Sequence, residues 1–240
     1  MGCGWSAPNT DFSLVTSIEV ANGGAEHTFP NVESILSGLP FWERRLNAGD
    51  VITAVGGSDN HDAGMAPNIA SAVGRPTTVV EASELSEHAI LEGIRLGRVF
   101  IDLDGTRDRV LDLNAVDGRD TAKMGGLLVV ANDELVTFTA HLEGVAEGRL
   151  QVIEDGKTID GPADPTVGPG VTERTFQIRT DWDKHWVRLN VRDAKGRLLL
   201  IGNPIYIGPY RGQVRFSREL SSPRPPSPPS PPRGKESPRH

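Results

Sequence analysis

Between Val110 and Ile207 the apolar residues keep a period of two, and this constrains the chain more than any other feature. Leu111, Leu113 and Ala115 alternate with Asp112 and Asn114, and Val136, Phe138, Ala140 and Leu142 alternate with Thr137, Thr139 and His141. Phe176 and Ile178, then Val187, Leu189 and Val191, repeat the spacing. Successive side chains of a strand point to opposite faces, so the pattern describes strands with one apolar and one polar face. Asp155-Gly156 is a primed-turn hairpin signal, and a Lys195-Gly196 turn leads into the apolar run Leu198 to Ile201. No helical stripe intervenes before Pro209. About seven short strands with turns between them predict a sandwich-like all-β domain over residues 108–208.

The first third reads differently. Ser17 to Asn22 alternates Ile18 and Val20 with polar positions and ends in Gly23-Gly24, which predicts a strand and a turn. Pro40 to Asn47 predicts a helix, with Pro in the first turn and Gly49 past the end. Val51 to Val55 is a nearly continuous apolar run, as in a strand covered on both faces. A long loop over Gly56 to Pro76 precedes a strand at Thr78 to Ala82. A helix follows from Glu87 to Leu96, with Ser86 as N-cap and Gly97 at its end, and then a strand at Val99 to Asp102. Strands alternating with helices predict a parallel α/β sheet or barrel for residues 1–107. Residues 209–240 form the third segment. Ser217 to His240 contains eight Pro and six Ser, which favours extended polyproline II and supplies no core. A disordered Pro-rich tail is expected there, with an SH3- or WW-type ligand as the alternative.

Charge and cysteine content narrow the function. The net charge is -7, with +5 on Arg211 to His240 and -12 on the rest. An acidic body opposes nucleic-acid binding, which depends on cations neutralising phosphates. A single cysteine, Cys3, excludes an internal disulfide framework and Cys-rich zinc modules. No apolar run is long enough for a transmembrane helix, and no signal peptide is visible. Met1-Gly2-Cys3-Gly4-Trp5-Ser6 matches a myristoylation pattern with an adjacent palmitoylation candidate, although a membrane role is not the expectation. The compartment is left open.

The stretch that carries chemistry is Val51-Ile-Thr-Ala-Val-Gly-Gly-Ser-Asp-Asn-His61. A buried strand ends in two glycines, with Ser58, Asp59 and His61 immediately beyond, where parallel α/β proteins place their active sites. Asp59 and His61 lie two residues apart, so extended backbone would present both to one side. Carboxylate and imidazole are sound ligands for zinc, manganese or iron. The same residues also read as a loop in which Ser58 and Asp59 cap the next turn. Glu19, near the end of its strand, and Arg75, past the long loop, are further candidates. Arg75 would suit an anionic substrate. The alternative for Glu19 is a buried pairing role, and for Arg75 a surface or capping role.

The surrounding blocks add to this. Gly-Gly-Ser-Asp-Asn-His61, Val73-Gly-Arg-Pro-Thr-Thr-Val-Val80, Leu85-Ser-Glu-His-Ala-Ile-Leu-Glu-Gly-Ile94 and Gly97-Arg-Val-Phe100 resemble the end of a PHP domain. With Gly4-Trp5, Ile18-Glu-Val-Ala-Asn-Gly23, Phe41-Trp42 and Gly202-Asn-Pro-Ile-Tyr206, they are most similar to the CehA/McbA branch of PHP metallohydrolases. The resemblance spans residues 2–207. It implies an α/β fold: the C-terminal portion of a PHP-type distorted β/α barrel, followed by the all-β domain and the tail. It also implies divalent metals, a small phosphoester, carbamate or ester substrate, and hydrolysis by metal-activated water. Its Ser-Asp-x-His motif falls on Ser58, Asp59 and His61, making Asp59 and His61 the implied metal ligands and leaving Ser58 and Arg75 for substrate.

PHP domains also open with a His-x-His pair, and this chain has none. Its six histidines are at 27, 61, 88, 141, 185 and 240, with His27 expected in an exposed loop. The chain is therefore expected to begin after the first half of the domain. Two other functions follow from the same residues: a non-catalytic remnant whose β-domain binds a partner, and an acyl-anchored adaptor.

Overall fold

The computed structural model describes residues 5–7, 9–28, 33 and 37–209. The expected acylation site at Gly2 and Cys3 and the expected tail beyond Pro209 lie outside those residues. After a 3-10 turn at Phe12–Leu14, β1 (Ser17–Asn22) leads directly into the short helix α1 (Gly23–Thr28). Helix α2 (Leu39–Asn47) buries Leu39, Trp42 and Leu46, a helical spacing that turns one face to the core. It delivers the chain to β2 (Thr53–Gly57), which pairs parallel with β1 from Ser17↔Thr53 to Asn22↔Gly57.

Next come β3 (Thr77–Val80), α3 (Glu87–Arg95) and β4 (Val99–Asp102). Ser86 caps α3, its hydroxyl accepting from the Ala89 amide at 3.2 Å. The remaining elements are strands: β5 (Val110–Val116), β6 (Thr121–Lys123), β7 (Leu127–Val129), β8 (Leu135–Glu143), β9 (Gly148–Glu154), β10 (Lys157–Ile159), β11 (Thr166–Val167), β12 (Thr172–Arg179), β13 (His185–Arg192), β14 (Leu198–Gly202) and β15 (Ile205–Gly208).

Two larger sheets result. One has four strands in the order β12-β8-β5-β6, and the other has nine, running β10-β9-β13-β14-β4-β3 with β11, β15 and β7 attached. Their facing sides share one core. Leu111, Leu113, Phe138, Leu142 and Phe176 come from the smaller sheet, and Leu150, Val187, Leu189, Val191 and Ile207 from the larger. Phe138 and Phe176 stack across β8 and β12 with ring centroids 5.0 Å apart.

The opposite face of the nine-stranded sheet carries a second core. Trp186, Leu198, Ile201, Tyr206 and Ile153 pack there with Trp42 and Leu46 of α2, Val20 of β1, and Ile52 and Ala54. This second layer explains β13, where the residues between the sandwich-facing valines and leucine are buried as well.

The PHP-type β/α barrel expected from the sequence does not form. Among the described residues strand accounts for 40% against 12% for helix, and no sheet is closed. Strand direction is the reason. β3 and β4 run antiparallel, from Thr77↔Asp102 to Val80↔Val99, although α3 lies between them. β4 then pairs antiparallel with β14. The apolar character of β4 reflects its place between two cores, with Phe100 in the first and Ile101 in the second. Sequence alternation reveals that a strand is covered on both faces, but not by what. The boundary expected at residues 107–108 falls inside the compact unit ending at Tyr210, and β3 and β4 hydrogen-bond into the same sheet as β13 and β14.

Candidate functional site

The parallel pair β1–β2 places its two carboxyl ends side by side, and the candidate residues lie there. Asp59 follows β2 with a left-handed backbone, φ 48°. Such a conformation is tolerated by Asp more readily than by most residues. Its Oδ1 lies 3.2 Å from Nε2 of His61, so the two implied ligands do meet. Both are open to solvent, His61 at 86% and Asp59 at 49% of full side-chain exposure. Ser58 is half-buried between them and the strand end.

The neighbouring strand end contributes Glu19 and Asn22. Asn22 Nδ2 donates to Glu19 Oε2 at 2.9 Å, and Asn22 Oδ1 accepts from the Ala25 amide at 2.8 Å. Two glycines make this approach possible. A Cβ on Gly57 would stand 2.8 Å from Glu19 Oε1, and one on Gly24 would stand 2.9 Å from Asp59 Oδ2 and 3.2 Å from Asn22 Oδ1. Glu19 is exposed, which corrects the alternative of a buried pairing role. Asn60 closes the base of the loop, its Nδ2 donating to Ser71 O at 2.7 Å.

Arg75 points elsewhere. Its Nη2 donates to Asp104 Oδ1 and its Nη1 to Pro67 O, each at 3.5 Å. Asp104 also accepts from Arg109 at 2.9 Å and from both terminal nitrogens of Arg197, at 2.8 and 3.3 Å. Partial burial would raise its pKa, but the guanidiniums of Arg197 and Arg109 outweigh that and hold the carboxyl below its usual range. Asp102 beneath it accepts from Thr106 and Arg109. Arg75 thus belongs to an ionic cluster that ties the long loop to β4 and to the β13–β14 turn.

Three other histidines, His88, His141 and His185, lie on other elements. The backbone of His27 lies in α1, not in the expected loop. His88 is on α3, 3.9 Å from Glu92. His141 lies on β8 between Glu143 at 2.9 Å and Glu173 at 3.6 Å; the Glu143 hydrogen bond raises its pKa, partial burial opposes, and Glu173 adds to the rise. His185 opens β13. Among the described residues no three His, Cys, Asp or Glu side chains group as a metal site. Asp59 and His61 have suitable donor chemistry, but they are two ligands where a catalytic zinc site generally uses three.

One residue that supports the site was not singled out from the sequence. Asn203 reaches from the β14–β15 corner to β2. Its Oδ1 accepts from the Ala54 amide at 2.7 Å, and its Nδ2 donates to Ala54 O at 3.0 Å and Val99 O at 2.8 Å. Thr78 does the same further along, donating to Gly56 O at 2.6 Å and accepting from Gly56 N at 2.9 Å. The edge of β2 is therefore paired by side chains that imitate a backbone ladder. The only sequence cue was Asn before Pro204, which by itself reads as a turn. No protein-family model matches this chain, and no curated protein matches it either.

Proposed function

We propose that the chain contributes Asp59 and His61 to a divalent-metal centre that hydrolyses a phosphoester, or a related ester or carbamate, in the manner of the PHP enzymes its motifs resemble. The observation that carries this reading is the meeting of Asp59 and His61 side chains, 3.2 Å apart and solvent-accessible, at the carboxyl end of a parallel strand pair. The reading does not require a β/α barrel, only that strand pair. Glu19, oriented by Asn22, lies at the adjoining strand end and adds negative charge beside the two ligands. A divalent ion there would supply an activated water and offset charge developing on the phosphoryl oxygen. Asp59 would hold it as a charged oxygen donor, with His61 as a neutral nitrogen donor. The remaining positions need further ligands.

The full chain should be titrated calorimetrically with Mn2+ and Zn2+ and assayed with 4-nitrophenyl phosphate. The expected result is measurable but weak binding, lost in both Asp59→Asn and His61→Ala, with melting temperatures unchanged because both side chains are exposed. Absence of binding, or binding indifferent to both substitutions, would overturn the assignment.

A further inference from the structure

His185 is gripped from both sides, away from the Asp59 site. Its Nδ1 lies 2.6 Å from Asp155 Oδ2, and its Nε2 lies 2.8 Å from Asp181 Oδ1. A neutral imidazole carries one N–H, so it would turn a lone pair toward one of these carboxylates; only the protonated ring donates to both. The two carboxylates are held differently. Asp155 is fixed: with φ 50°, followed by Gly156 at φ 82°, it forms the two-residue turn between β9 and β10. Its Oδ1 accepts from the Trp186 amide at 3.1 Å, and its carbonyl accepts from Asn47 at 3.4 Å. Asp181 belongs to the loop between β12 and β13, is mostly exposed, and is otherwise bonded to the Asp183 amide of the same loop. Next to it Trp182 is 74% exposed.

We propose that Asp155, His185 and Asp181 form a proton-operated latch. The protonated ring holds Asp181, next to the exposed Trp182, against the β9–β10 turn, while Thr180 stays anchored to Ala131 and Glu134, and loss of the proton releases Asp181. Partial burial disfavours the charge, but the hydrogen bonds and field of Asp181 and Asp155 outweigh it and push the imidazole up to about 9. Other charges around the ring are Glu154 on β9 and Asp183 and Lys184 in the loop. β15 presents the apolar Ile207 opposite, and α2 brings Glu43 and Asn47 to Gly156. Because the folded-state value is raised above the ordinary 6.5, the stabilisation is complete below that pH and is lost as pH rises through about 9. The latch is therefore shut at neutral pH and opens on the alkaline side.

The test is an NMR titration of the histidine rings in the full chain from acid to alkaline pH. It is combined with fluorine NMR of 5-fluorotryptophan-labelled protein, in which Trp182→Phe assigns the Trp182 signal. The expected result is a His185 midpoint near 9, with the Trp182 signal moving at the same midpoint. Asp181→Asn, an exposed change that leaves the fold intact, should return the midpoint toward its ordinary value and give Trp182 its alkaline signal already at neutral pH. A His185 midpoint at the ordinary value in the wild-type chain would overturn the proposal. So would a Trp182 signal that does not respond as the ring loses its proton.

Discussion

Replacing Asn203 with Leu tests whether β2 is joined to the main sheet by one side-chain amide. Asn203 is 1% exposed, and its amide answers both the N–H and the C=O of Ala54, itself fully buried. Leu has the same branched shape and no polar atom, so the substitution leaves no cavity, and its larger methyl ends add some crowding to the polar term. Val99 O still accepts from the Asn203 backbone amide at 3.3 Å, which leaves two buried backbone groups without partners. Each such group costs about 1–3 kcal/mol, giving about 2–6 kcal/mol in all. For a unit of this size that corresponds to roughly 4–24 °C in melting temperature. Asn203→Asp sharpens the test, because a carboxylate would face the carbonyl oxygens of Ala54 and Val99. Its folded-state pKa would be raised, so the variant should be most stable in acid and lose stability as pH rises. Urea unfolding followed by tryptophan fluorescence measures the stability, and hydrogen exchange at the Ala54 amide localises the effect. If Asn203→Leu unfolds within about 0.5 kcal/mol of wild type, with Ala54 as protected as before, the side-chain ladder is not what holds β2.

Two further expectations follow from the packing. Arg188 is buried on β13, with Nη2 2.5 Å from Glu43 Oε1 and Nη1 2.5 Å from Asn190 Oδ1, beneath α2. Removing the partner by Glu43→Leu strands a buried guanidinium and should cost about 3 kcal/mol in urea unfolding, whereas Arg188→Met leaves Glu43 able to turn to water and should cost less; the reverse order would contradict this account. Gly125 has φ 80°, and a Cβ there would stand 2.0 Å from Leu96 O, so Gly125→Ala should destabilise by more than about 3 kcal/mol in the same assay. A loss under about 1 kcal/mol would show that the turns at Leu96 and Gly125 can separate freely.

The sequence by itself marked the longer strands of the β-rich region and which of their faces are apolar. β8 shows why: Val136, Phe138, Ala140 and Leu142 are buried, with the residues between them less so, as a period of two requires. It did not mark the short strands β6, β7 and β11, so eleven strands stand among the described residues of that region where about seven were expected. The helices at α2 and α3 were also legible, because Pro40, Ser86 and the glycines past their ends act through local backbone chemistry. Asp59 and His61 do meet, as their spacing suggested, but through a left-handed Asp59 and not through the extended backbone expected.

Only the tertiary structure decided strand direction and partners. An apolar strand such as β4 is compatible with parallel or antiparallel neighbours, and its pairing with β14 depends on residues about a hundred positions away, whose arrival no local pattern encodes. The same holds for Arg75, whose partner Asp104 is distant in sequence, and for Asn203, which reads as a turn residue until β2 is brought beside it. Local periodicity reports burial because burial acts on each residue separately. Pairing is a property of two segments at once, so it is settled when the chain folds.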